Sequence, residues 1–216
     1  MQAVQEAEAL RREAMGAFAH EIRTPLTSIR MVLELARRQA VGGQMLLDSE
    51  LTTMLNASVD DLQRLADDLQ EASRLERGKV TLSPGPCDLG AAVEAARELL
   101  GPNLRLEGPT PVDIEGPWDA PRVVRAIAGF TQSANRVGNG SGAVDFRCTV
   151  TPEQVALHFA SGTPEGSPRE MAADAGFPFF RSRQFVVAAG GSVEWDRRER
   201  FVAITVTLPL ADTSGG

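Results

Sequence analysis

Phe18-Ala19-His20-Glu21-Ile22-Arg23-Thr24-Pro25-Leu26 sets a histidine beside a carboxylate, one helical turn before a threonine and a proline. Around it, Ala7, Leu10, Ala14, Phe18, Ile22, Leu26, Ile29, Leu33 and Ala36 recur at three-and-four spacing, which predicts one helix from about residue 3 to residue 40. Gly42-Gly43 then breaks it. A second stripe runs through Leu47, Leu51, Met54, Leu55, Ser58, Leu62, Leu65, Leu69, Ala72 and Leu75, and ends near Arg77-Gly78, where glycine can terminate a helix. Two helices joined by a short turn form an antiparallel hairpin with one apolar face. Such a hairpin cannot bury that face alone, so a second copy completing a four-helix bundle is expected, and with it a homodimer.

The chain has 216 residues, room for one or two domains with a real core at roughly 150 residues per domain. Hydrophobic residues at 43% and charged residues at 24% describe an ordinary globular composition. A formal net charge of −7 excludes the basic footprint on which nonspecific nucleic-acid binding depends. Cys87 and Cys148 stand far apart with no CxxC, which fits a reduced, cytoplasmic setting and no metal site. No apolar run approaches the ~18 residues of a membrane span, and the charge-and-alanine N-terminus is unlike a signal peptide.

Beyond Gly78 the texture shifts to short elements punctuated by glycine and proline, so the expected domains are 1–77 and 78–216. Lys79 to Leu82, Leu104 to Glu107 and Val112 to Ile114 suggest strands, and Asp88 suits the N-cap of a helix to Leu100. Pro121 opens a helix to about Arg136. Alternation in Val144-Phe146-Cys148-Val150 and Val155-Leu157-Phe159 predicts a hairpin of half-buried strands. A helix from about Phe179 to Ala189 stops at Gly190-Gly191, followed by strands at Ser192 to Trp195 and Phe201 to Leu208.

The stretch from Phe18 to Leu26 resembles the phosphoacceptor box of sensor histidine kinases, and the later order of elements resembles their catalytic ATP-binding domain. The implied fold is α+β: a dimeric helical hairpin followed by a histidine-kinase-like α/β sandwich. In that family an NLLxNA pattern on a helix binds magnesium and phosphates. The matching residues are Gly129 to Ala134, which put Ser133 at the magnesium-liganding asparagine. A serine hydroxyl is a poorer ligand for a hard cation than a well-placed amide oxygen. Asn135 lies about 200° around the helix from that position. A DxGxG pattern supplies the adenine acceptor, and Ala160 stands at its aspartate. The GLGL loop appears as Gly176-Phe177-Pro178-Phe179, so Pro178 removes an amide from the implied phosphate cradle. The stretch from Thr163 to Ala175 is short for the family's nucleotide lid. With these contacts missing together, ATP binding is not expected.

The histidine chemistry survives that loss. A neutral imidazole is nucleophilic near pH 7, and Glu21 can fix its tautomer or act as general base. Thr24 lies at i+4 from His20 on the same helix face, where the family's HExxT pattern positions a water for dephosphorylating a receiver. Pro25 removes its own amide and presses on the carbonyl of Glu21, making a candidate hinge. Arg23, Thr27 and Arg30, with Thr24, are the expected partner contacts. His158, Trp118 and Trp195 suit packing roles, and Asp60-Asp61 and Asp67-Asp68 a solvated face.

Together these residues imply a degenerate, pseudokinase-like histidine phosphotransferase of two-component or phosphorelay signalling. His20 would exchange phosphate with a response-regulator aspartate, magnesium being supplied by the receiver. Three other readings follow from the same motifs: a sensor-kinase core with unusual nucleotide binding, a response-regulator phosphatase, or a noncatalytic dimeric scaffold.

Overall fold

The computed structural model describes residues 2–40, 47–77, 81–167 and 175–210. Helix α1 spans Gln2–Arg38 and α2 spans Ser49–Glu76. Asp48 caps α2 by accepting the Leu51 amide over 2.8 Å, satisfying one of the orphan donors of a helix start. Gly42-Gly43 lies outside the described residues. The chain divides into two compact units, Met1–Glu71 and Ala72–Gly216, so the last turn of α2 belongs with the second unit, whose core includes Leu75.

In the first unit the covered side of α1 differs from the stripe that spacing alone suggests. Ala17, Pro25, Val32 and Ala36 are buried, with Val32 and Ala36 packed on Leu51 of α2. Leu26 and Leu33, by contrast, are 50% and 41% exposed. The long run of small and apolar residues on α1 therefore serves two faces, and a single chain covers one of them.

The second unit contains β1 (Gly85–Asp88), α3 (Leu89–Leu100), β2 (Arg105–Glu107), β3 (Glu115–Trp118), α4 (Ala120–Val137), β4 (Ala143–Val150), β5 (Gln154–Ser161), α5 (Gly176–Ala188), β6 (Ser192–Arg198) and β7 (Phe201–Pro209). Asp88 caps α3 as expected, accepting the Ala91 amide over 3.0 Å. A five-stranded sheet has the order β2-β4-β5-β7-β6, with β2 parallel to β4 and the other neighbours antiparallel. Alternate residues Val155, Leu157 and Phe159 of β5 and Val202, Ile204 and Val206 of β7 point into the core. Phe159 centres that core, with ring centroids 5.8 Å from Phe130 on α4 and 5.5 Å from Phe146 on β4.

Two strand expectations shift. Lys79 and Val80 lie outside the described residues, while Thr81 and Leu82 form no strand; pairing starts at Gly85 instead. There β1 forms a separate two-stranded antiparallel ribbon with β3, Pro86 facing Pro117. Prolines cannot donate to a ladder, which suits such a ribbon better than a central strand. The strand foreseen at Val112 to Ile114 begins at Glu115, because Asp113 turns the chain with a φ of 56°. That left-handed conformation ends any extended run before it.

Candidate functional site

Helix α1 carries His20, Thr24 and Thr27 along one stripe, since residues four and three apart share a helix face. All three are exposed, as are Arg23 and Arg30. The Thr27 hydroxyl donates to the Arg23 carbonyl over 2.8 Å, holding the turn that follows His20. Glu21 is half-buried and Pro25 buried, about 100° around the helix from His20 and Thr24. α1 runs through Pro25 as one helix, and the backbone bond from residue 25 to the Glu21 carbonyl cannot form. The histidine is thus presented to solvent, while the proline sits on the covered side one turn away.

The acidic pairs on α2 behave as a polar face: Asp60, Asp61 and Asp67 are exposed, and Asp61 pairs with Arg64. No group of three or more His, Cys, Asp or Glu among the described residues is placed to hold a metal. His158 spans strands, with Nε2 3.1 Å from the Thr149 hydroxyl on β4 and Nδ1 3.2 Å from that of Thr205 on β7. This is a cross-strand polar contact on the sheet face away from the helices. Trp118 is buried, and Trp195 packs edge-on against Phe179 with centroids 5.6 Å apart.

Of the residues matched to nucleotide contacts in the sequence, Ser133 is 1% exposed and its hydroxyl donates back to the Gly129 carbonyl over 2.8 Å. Asn135 is committed elsewhere: its Oδ1 accepts the Gly142 amide over 2.9 Å, pinning the loop after α4. Ala160 faces away from the helices, paired between Asp145 and Ala203. The helix-facing residue at that level is Ser161, 2% exposed, whose hydroxyl donates to Asn139 Oδ1 over 3.2 Å. Strand alternation through Val155, Leu157 and Phe159 carries this information, and it makes Ser161 the residue that meets the end of α4. Pro178 falls in the first turn of α5, where a missing amide is sterically tolerated. That turn keeps one backbone donor fewer.

Residues 10–78 match the His Kinase A (phospho-acceptor) domain. The match takes in the whole box from Phe18 to Leu26. Residues 10–78 are therefore a phospho-acceptor domain of the histidine kinase type. Among curated relatives the chain is 30% identical over 171 residues to the probable sensor histidine kinase TcrY of Mycobacterium tuberculosis, an alignment covering 76% of this chain and 35% of that one. It is 26% identical over 160 residues to the histidine-protein kinase BaeS of Escherichia coli, covering 72% and 33%. The chain therefore spans about a third of the length of these relatives.

Solved histidine kinases share the fold. The histidine kinase AdeS of Acinetobacter baumannii superposes with a TM-score of 0.65 at 20% identity, covering 89% of this chain and 98% of that one. The histidine kinase ThkA, solved in complex with the response regulator protein TrrA, gives 0.56 at 19% identity, covering 96% and 64%. The chain thus combines the helical hairpin with an α/β domain in the fold of these kinases. One residue in it escapes motif reading: Ser161, found through strand parity.

Proposed function

We propose that this chain is a dimeric, cytoplasmic histidine phosphotransferase that exchanges phosphate between His20 and a response-regulator aspartate without using ATP. The observation that carries the reading is a contrast within one molecule. His20 and Thr24 stand exposed on α1 with the phosphoacceptor box complete, while the side chains at the nucleotide positions are engaged within the fold. A magnesium nucleotide does not fit those residues. Ser133 and Ser161 spend their hydroxyls on internal partners, Asn135 holds a loop, and Pro178 offers no amide.

In the transfer, an imidazole nitrogen of His20 attacks the phosphorus of the receiver's aspartyl phosphate. The N–P bond forms as the P–O bond to the aspartyl oxygen breaks, releasing the carboxylate, and the reverse step returns the phosphoryl group. Glu21 orients the ring, and Thr24 positions a water when the receiver is dephosphorylated instead. Pro25 supplies the hinge. Magnesium comes with the receiver, whose docking uses Arg23, Thr27 and Arg30. The partner class agrees with the response regulator bound to ThkA.

The dimer follows from the uncovered face of α1. Met15, Ile22, Leu26, Ile29 and Leu33 follow a heptad-like spacing, and Met15, Leu26 and Leu33 are at least 40% exposed in the single chain. A second hairpin covers that seam as a four-helix bundle. The test presents the protein with labelled ATP and, separately, with a labelled phospho-receiver. Label reaches His20 from the receiver and is lost in His20→Ala. Labelling by ATP overturns the reading.

A further inference from the structure

We propose that Met31 and Leu35 of α1 anchor the receiver, as an apolar contact on the helix face that carries His20. The inference rests on the phosphotransfer reading above and adds the surface that holds its partner. Met31 is 49% and Leu35 38% exposed. Successive helical residues stand 100° apart, so Met31, eleven positions past His20, returns to within about 20° of its direction, and Leu35 to within about 60°. The two lie about 16 and 22 Å along the axis from His20, beyond Thr24 and Thr27 on the same strip. Being four residues apart they adjoin, which makes one patch rather than two scattered side chains.

Neither of the contacts already assigned to α1 covers this patch. Val32 and Ala36, which pack on Leu51 of α2, each follow one residue on and so stand about 100° around from Met31 and Leu35 in turn. Leu33, in the seam left for a second hairpin, is about 160° around from both. Thr27 extends the patch toward His20: its hydroxyl is spent on the Arg23 carbonyl, so it adds a methyl group to the strip. Along one flank Arg23, Arg30 and Arg37 repeat at seven-residue spacing, all exposed. A receiver that holds magnesium does so with carboxylates, so this cationic flank steers its acidic site toward His20 while the apolar pair holds it. An apolar anchor beside a charged rim is the ordinary anatomy of a protein interface. A domain of roughly 120 residues has a radius of gyration of about 14 Å, wide enough to reach His20 and the patch together.

The probe is the phospho-receiver that labels His20 of the natural chain fastest among a purified panel. In the variant Met31→Glu with Leu35→Glu, the receiver concentration giving half-maximal labelling rises about tenfold or more, while the plateau rate stays within about twofold. Met31→Leu with Leu35→Met conserves apolar volume and keeps both constants near those of the natural chain. An unchanged half-saturation in the double glutamate variant overturns the anchor. A second measurement needs no variant: hydrogen peroxide oxidises the exposed Met31 thioether of the free natural chain, and saturating receiver suppresses the sulfoxide in peptide mass spectra. Oxidation undiminished by the receiver overturns the proposal. So does a Met31 already protected without it, which assigns the patch to a second copy of this chain. Failure of every receiver to label the natural chain, or label that persists in His20→Ala, is the different result that defeats the phosphotransfer reading and this partner with it.

Discussion

The indole Nε1 of Trp118 donates to the Pro209 carbonyl over 2.7 Å, joining β3 to the end of β7 across 91 positions of sequence. This bond fastens the small β1–β3 ribbon to the last strand of the main sheet. Gly116 lies under the indole, where a Cβ would come within 2.4 Å of ring atoms. Trp118→Phe keeps most of the apolar ring but strands the carbonyl, at a cost of about 1–3 kcal/mol. Urea unfolding reads this as a lower midpoint with an unchanged slope. An unchanged midpoint would show that the bond contributes nothing.

Cys87 reports burial of the same ribbon through its thiol. Desolvation, aided by the nearby carboxylates of Asp88, Asp119 and Glu115, raises its pKa from 9.0 to about 11. The folded state therefore prefers the protonated thiol. The stability this gives is fully present below pH 9 and is lost as pH rises toward about 11, because the unfolded chain ionises first. Native protein at pH 8 should react with a thiol reagent at Cys87 far more slowly than unfolded protein. Cys87→Ala should flatten the alkaline decline in stability; a decline as steep as in the natural chain would assign it to other groups.

Charging the open seam of α1 should separate protomers without unfolding the hairpin. Leu26 and Leu33 are exposed in the single chain, so Leu26→Glu with Leu33→Glu disturbs little intrachain packing. It places like charges in a bundle interior, where unpaired charge is strongly disfavoured. Sedimentation velocity should show half the mass of the natural protein with helicity largely kept. A natural chain that already sediments as a monomer would remove the dimer.

The hairpin was legible because its signals are local: three-and-four spacing and glycines at the break. The β4–β5 hairpin and β7 were legible for the same reason, as strict alternation marks a half-buried strand. The β1–β3 ribbon was not, because Gly85-Pro86 and Gly116-Pro117 carry no strand pattern and pair only through their place in the tertiary fold. Asp113 shows the converse, a turn hidden in a stretch that alternates like a strand. At the site, motif spacing located His20 and Thr24. The same spacing matched the acceptor position to Ala160, but a pattern of letters does not say which sheet face a side chain takes, and the helix-facing neighbour is Ser161. The close approach of Ser182 to Gly129 needed the third dimension, since a glycine within a helix looks like a weak position until the opposing helix is seen.

His20 and Thr24 share an exposed stripe but differ in chemistry, so they should separate phosphotransfer from dephosphorylation. His20→Ala removes the only nucleophile of the box and should abolish labelling by a phospho-receiver. Thr24→Ala leaves the imidazole in place and removes a hydroxyl one turn away. Receiver dephosphorylation should then fall by about tenfold or more, the equivalent of roughly 1.4 kcal/mol, while transfer to His20 stays near the natural rate. Because both residues are exposed on α1, neither change should lower the melting temperature appreciably. Equal loss of both activities in Thr24→Ala would instead make the threonine part of receiver docking. Undiminished phosphate flow in His20→Ala would make the chain a scaffold rather than a relay.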